Sequence, residues 1–125
     1  MQKQCERHKV RRPCIKLLRT LINYNLLKKY DFLYWACPPD YGKLPKHIAN
    51  FMKLDGYEKG VFDLTIIAGN KDLLKVWLIE FKYGSSDYTK EQKLTAENIK
   101  YIKDIEAIKI KNIDEFQVFL DNNLK

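Results

Sequence analysis

The chain is predicted to fold as a mixed α/β domain, a mixed sheet flanked by helices in an α+β arrangement. Three observations predict it. Apolar residues alternate over 61–67 and again over 76–82, as half-buried strands require. Over 13–29 they follow helical spacing instead. A second helical stretch from 89 to 105 then leads into a strand around Ala107–Lys111 and a capped helix start at Asn112. The resulting order is helix, strand, short helix, strand, strand, helix, strand, helix.

Each element has a local reason. Pro13 suits a first helical turn, where its missing N–H costs little. Cys14, Leu17, Leu18, Leu21 and Ile22 would face a core, while Arg12, Lys16, Arg19 and Asn23 form a basic stripe on the opposite side. Residues 1–12 show no clear period and form either a basic arm or an extra turn. Phe32 to Cys37 is an aromatic run that stops at Pro38-Pro39 and reads as a strand. Residues 45–54 form a short helix ending at Gly56. Gly69-Asn70 signals the turn of an antiparallel hairpin between the strands at 61–67 and 76–82. Gly84 to Asp87 breaks the pattern and offers helix caps. Asn112 with Glu115 resembles a capping box, with Ile113, Phe116 and Leu120 facing inward.

The 125 residues fit one domain spanning 1–125, with a hydrophobic fraction of 46% that can build a core without disulfides. No apolar run reaches the roughly 18 residues of a membrane span, and no signal-peptide core is present, so no membrane partner is expected. Cys5, Cys14 and Cys37 cannot all pair and suit a reducing compartment; the expected location is the cytoplasm, or a host's if the chain is viral. Residues 1–30 hold nine Lys/Arg and one acid, Glu6. The remaining 95 residues hold fourteen Lys/Arg and fifteen acids, so the whole positive excess sits at the N-terminus. Such a concentration suits a polyanionic partner; a solubilising face is the alternative.

Chemistry concentrates in one place. Along 76–82, Val76, Leu78, Glu80 and Lys82 share one side of a strand, an unusual position for two charges. Asp63 interrupts the preceding strand between Phe62 and Leu64. If the two strands pair, Asp63 and Glu80 approach each other at the end away from the turn. Two carboxylates held together repel and need a cation or a shared proton. Hard oxygen ligands suit magnesium or manganese, and Lys82 could then meet a water or phosphate oxygen. A structural ion pair among the three residues is the competing reading. Glu91-Gln92-Lys93 is a second Glu-x-Lys, on an exposed helix instead of a strand.

An Asp, a hairpin and a strand-borne Glu-x-Lys resemble the PD-(D/E)xK nucleases, which share the restriction-endonuclease-like core. More narrowly, Lys53-Leu54-Asp55-Gly56, Gly60-Val61-Phe62-Asp63-Leu64, Trp77 to Lys82, and Glu91-Gln92 resemble the VRR-NUC domain (virus-type replication-repair nuclease). That family has Lys-x-x-Gly, Gly-x-Pro-Asp and Glu-x-Lys segments, then a Gln early in the next helix. The resemblance covers residues 46–120. The family's Pro is Phe62 here, and its first-helix Glu has only Glu6 as a counterpart, beyond Pro13. Either the first helix starts early and bends at Pro13, or that ligand is missing.

The resemblance implies a divalent-metal-dependent endodeoxyribonuclease, a phosphodiester hydrolase using magnesium or manganese. Asp63, Glu80, the Phe81 carbonyl and Glu6 would ligate the ion. Lys82 would orient or activate water, and Gln92 would supply a supporting hydrogen bond. Arg7, Arg11, Arg12, Lys16, Arg19 and Lys53 become candidates for phosphate contacts. Branched DNA such as a Holliday junction is the implied substrate, cut by a homodimer in DNA repair or recombination. The alternatives are a catalytically degenerate nucleic-acid-binding protein and a sequence-specific or RNA endonuclease of the same fold.

Overall fold

A computed structural model describes residues 6–38, 46–55 and 60–125, the side chains of Arg7, Ala49, Met52 and Lys53 excepted. Within them lie four α-helices and one four-stranded mixed sheet. The predicted mixed α+β class and the order of elements are what the structure has. Among the described residues no helix is long and apolar enough to cross a membrane.

The first helix starts earlier than predicted. A π-helical segment, Glu6–Arg11, runs directly into helix α1, Arg12–Asn23. Pro13 has no N–H to donate to the carbonyl four residues back, so the ordinary α ladder is interrupted where the wider turns stand. The helix also ends at Asn23, short of the expected residue 29. Asn25 takes a left-handed conformation (φ 55°), which asparagine tolerates. The Asn25 N–H then donates to the Ile22 carbonyl at 3.0 Å and the Leu26 N–H to Leu21 at 2.9 Å. This closes the helix by the double bond pattern of a Schellman motif.

Strands β1 (Phe32–Ala36), β2 (Leu64–Asn70), β3 (Leu73–Phe81) and β4 (Ile105–Ile110) lie in that order across the sheet. The first two pairings are antiparallel and the third is parallel. Helix α2 (Lys46–Leu54) precedes β2, and helix α3 (Lys90–Ile99) makes the crossover between the parallel strands. The hairpin turn is Lys71-Asp72, two residues later than predicted, because Asn70 pairs with Leu73. Gly69 belongs to the strand: a Cβ there would collide with the Leu73 carbonyl oxygen. Its signal was close approach of two backbones, not a turn.

Helices α1 and α4 (Ile113–Asn123) pack on each other and build the core with one face of the sheet. Cys14, Leu18 and Leu21 from α1 meet Ile66, Ala68, Trp77, Ile79 and Phe81 from the strands. Phe116, Phe119 and Leu120 complete it, with Trp77–Phe119 and Phe81–Phe116 rings edge-on at 5.7 and 5.8 Å. Phe119 takes the inward place expected of Ile113, which is 39% exposed in the first turn. Full burial of each such side chain stabilises by about 1.5–3 kcal/mol.

Three boundaries also differ. Helix α3 stops at Ile99, six residues short of the expectation, and Asp104 enters β4 at φ 68°. Its cap is Thr89, not a residue of the 84–87 stretch; Asp87 instead pairs with Lys109 at 2.6 Å. The Asn112 side chain accepts the Glu115 N–H, but the Glu115 carboxylate accepts from the Lys111 N–H, so only half of the expected capping box forms.

Candidate active site

Register places the site. Leu64 pairs with Ile79, so Asp63, just before β2, comes opposite Glu80 near the end of β3. The Asp63 N–H donates to Glu80 Oε1 at 3.0 Å, and Asp63 Oδ2 accepts the Phe81 N–H at 3.0 Å. Each carboxylate therefore fixes the other's strand. The Lys82 N–H donates to the Ile110 carbonyl at 2.9 Å, which ties the residue after β3 to the parallel neighbour.

Charge at this end is dense and dry. Glu80 and Lys82 are buried, at 6% and 8% exposure, and Lys82 Nζ lies 3.1 Å from Glu80 Oε2. Arg11 reaches over from the π-helical segment: Nη1 is 3.5 Å from Asp63 Oδ1, and Nη2 donates to the Pro38 carbonyl at 3.3 Å. Burial, and then the charge of Glu80, push the Asp63 carboxyl well above the usual carboxylate range.

Glu6 is brought to the same end. The early helix start puts its carboxyl within the fields of Lys82 and Glu80, where it accepts bonds from the Tyr83 backbone and the Ser86 side chain. Burial, more than Glu80, raises its pKa. Of the two alternatives posed by Pro13, the early helix start is the one the chain adopts. Among the described residues, however, no three His, Cys, Asp or Glu side chains are gathered tightly enough to form a metal cage.

Gln92 is not an exposed helix residue. It is buried at 3%, its Oε1 accepting the Thr89 N–H at 3.0 Å and its Nε2 donating to the Val61 carbonyl at 3.2 Å. The amide thus anchors the segment that enters Asp63. Thr89-x-x-Gln92 is a complete capping box, a signal present in the sequence but missed there. The Arg11–Asp63 contact had no sequence signal, since 52 residues separate the partners.

A groove leads away from this cluster between α1 and β1, the edge strand. Arg11, Arg12, Lys16, Arg19, Asn23, Trp35 and Cys37 are among its lining residues. The predicted basic stripe is therefore one wall of a groove that opens beside Asp63. The side chains of Arg7 and Lys53 lie outside the described residues, as do Cys5 and Tyr41. His47 is exposed on α2.

Comparison with family models, curated proteins and solved structures found no match for the chain. Its chemistry has to be argued from its own residues.

Proposed function

We propose that the chain is a metal-dependent endonuclease of the VRR-NUC type, built on a restriction-endonuclease-like core and hydrolysing phosphodiester bonds of branched DNA. One observation carries the reading: Asp63 and Glu80 stand face to face at a strand end, with the Lys82 ammonium 3.1 Å from Glu80. The donor set is all oxygen, which fits magnesium or manganese. Asp63 and Glu80, with the Phe81 carbonyl, would hold the ion; Glu6 stands at the same end and would have to move in to join them. Bound there, it would supply Lewis-acid polarisation of a phosphoryl oxygen and a more acidic water.

The chain's own residues supply the rest. Lys82, held on Glu80, is placed to orient a water and to offset charge developing on the phosphate. Arg11 sits between the carboxylates and the groove, so its guanidinium can pass from Asp63 to a phosphate oxygen. Gln92 keeps Asp63 in place through Val61. A homodimer accompanies this reading, since two strands of a junction are cut symmetrically by two sites, and Phe32 and Tyr34 on the edge strand are each 52% exposed. So does action in the cytoplasm.

A second reading has its own support. Arg11 on Asp63 and Lys82 on Glu80 neutralise both acids without a metal, as in a degenerate nuclease fold that only binds nucleic acid. One gel separates the readings. Four-way junction, linear duplex and RNA hairpin are incubated with magnesium, manganese or chelator. Metal-dependent junction products that Asp63→Asn abolishes support the nuclease. Salt-sensitive binding without product supports the degenerate protein, and cutting confined to duplex or RNA supports a sequence-specific or RNA endonuclease.

A further inference from the structure

We infer that the groove between α1 and β1 holds an unpaired nucleic-acid strand, one base stacking at Trp35 and the backbone running past Arg19, Lys16 and Arg12 to the carboxylates. The inference rests on the nuclease reading and specifies which part of the substrate reaches its site.

The groove has the right chemistry along its length. Its main part encloses about 690 Å³, and a second hollow of about 370 Å³ continues beyond Trp35 toward Asn25 and Lys28. Trp35 lines both. The main part is lined by four cations and no acid, and the continuation adds Lys28 against Asp31. Arg12, Lys16 and Arg19 lie three or four residues apart, so they form a row along one side of α1. From Arg12 to Asn23 the helix spans about 17 Å, enough for a few nucleotides of extended strand.

Size decides between strand and duplex. A volume of this order suits a drug-sized molecule or a nucleotide or two, not the body of a double helix. The aromatic wall points the same way. Trp35 is half-buried, its inner side resting on the core, and the Arg19 guanidinium lies 5.4 Å from its ring centroid. The guanidinium covers the open face of the ring, so a base stacks there when Arg19 swings off to a phosphate oxygen; a tryptophan in a basic groove then offers a planar platform that does not depend on sequence. A paired base presents no free face to such a platform. At the other end the groove reaches Arg11, whose guanidinium already touches Asp63.

The test needs no cleavage. Trp77 is buried at 3%, so changes in tryptophan fluorescence on binding report Trp35. With chelator present, the protein is titrated with dodecamers of dT or rU and with a blunt duplex of equal length. Saturable quenching by a single strand, and little by the duplex, is expected; whichever dodecamer binds tighter names the polymer. Trp35→Leu should weaken single-strand binding about fivefold to a hundredfold. Arg19→Gln changes an exposed residue and leaves the fold intact, so it is the safer variant. It should weaken binding and reduce the slope of log affinity against log salt by about 0.7.

Duplex quenching as strong as single-strand quenching would overturn the inference. So would Arg19→Gln binding the single strand as the parent does. Parental junction cleavage by Arg19→Gln together with unchanged single-strand affinity sinks the groove and spares the nuclease. Single-strand binding lost in the variants, with no metal-dependent product from the parent on any DNA, sinks the nuclease and keeps the groove.

Discussion

Asp63 and Glu80 are each bonded to the other's strand: Glu80 Oε1 accepts the Asp63 N–H, and Asp63 Oδ2 accepts the N–H of Phe81, the residue after Glu80. Two like-charged groups are thereby held together by the backbone they stabilise. The bonds consume one oxygen of each carboxylate; the other two, Asp63 Oδ1 and Glu80 Oε2, face Arg11 and Lys82. The fold needs the acceptor atoms of both side chains, and the proposed chemistry needs their charge. Variants that keep one and delete the other separate the two.

The first prediction concerns pH. Burial and the Glu80 charge push the Asp63 carboxyl up to about 7. In the unfolded chain it titrates near ~3.9. Between those values the folded state holds the proton more firmly, so this group stabilises the metal-free fold at low pH. That contribution falls as pH rises from about 4 to 7 and is lost above it. Asp63→Asn keeps an acceptor for the Phe81 N–H and should remove this part of the slope. Thermal melts from pH 4 to 8 in chelator check it; a variant with the parent's full slope would refute it. Above pH 7, magnesium or manganese should raise the parent's melting temperature and not the variant's.

The second concerns Glu80 and Lys82. Both are buried, and removing one partner of such a pair leaves an uncompensated charge. Lys82→Met should cost about 3–5 kcal/mol of metal-free stability. Glu80→Gln keeps an acceptor for the Asp63 N–H, so adding it to Lys82→Met should recover most of that loss. Lys82→Met should abolish cleavage yet bind manganese as tightly as the parent or tighter, since no ammonium then competes for Glu80. Urea unfolding and calorimetric titration measure the two effects. Manganese binding lost in Lys82→Met would put the lysine in the wrong role.

Much of this was legible because period-two alternation is a strong signal. It put Glu80 and Lys82 on one side of the strand and Trp77, Ile79 and Phe81 on the other; the three apolar side chains join the core, while the two charged ones are buried in the cluster with Asp63. It also pointed to Asp63 and Glu80 meeting at the end away from the turn. A two-residue turn at Gly69-Asn70 would have paired Asp63 with Val76; the turn at Lys71-Asp72 moves the register by four residues and brings Glu80 opposite. What stayed hidden depends on tertiary contact. A π-helical segment has no apolar period to read, so the placement of Glu6 and Arg11 was open. Gly69 looked like a turn because a glycine needed for close backbone approach has the same one-letter signal.

A third prediction separates the two Glu-x-Lys copies. Glu91 is exposed at the start of α3, and its Cβ is what a Cβ on Gly60 would strike. Gly60 also has φ 80°, a left-handed conformation that side chains resist. Glu91→Ala retains the Cβ and should leave cleavage within a few-fold of the parent. Gly60→Ala combines strain with a clash three residues before Asp63 and should lower both melting temperature and cleavage sharply. A hundredfold loss in Glu91→Ala would move the active site to the wrong copy.

The last prediction asks whether Gln92 is only a helix cap. Its amide closes a reciprocal box with Thr89 and, unlike an ordinary cap, also donates to the Val61 carbonyl, two residues before Asp63. Thr89→Ala removes a side-chain acceptor from the box but leaves the Val61 bond, and should cost about 1 kcal/mol. Gln92→Ala removes both and leaves a carbonyl without its donor, which should cost about 1–3 kcal/mol. If Gln92 positions Asp63, its variant should also lower kcat and manganese affinity while leaving DNA affinity unchanged, because the groove lies on another wall. Thr89→Ala should do neither beyond a few-fold. Gln92→Glu refines the test: a carboxylate can still accept the Thr89 N–H but meets the Val61 carbonyl as a second acceptor, so the cap persists while the tie is lost. Retained kcat in Gln92→Glu, or equal kinetic losses in Thr89→Ala and Gln92→Ala, would reduce Gln92 to a cap.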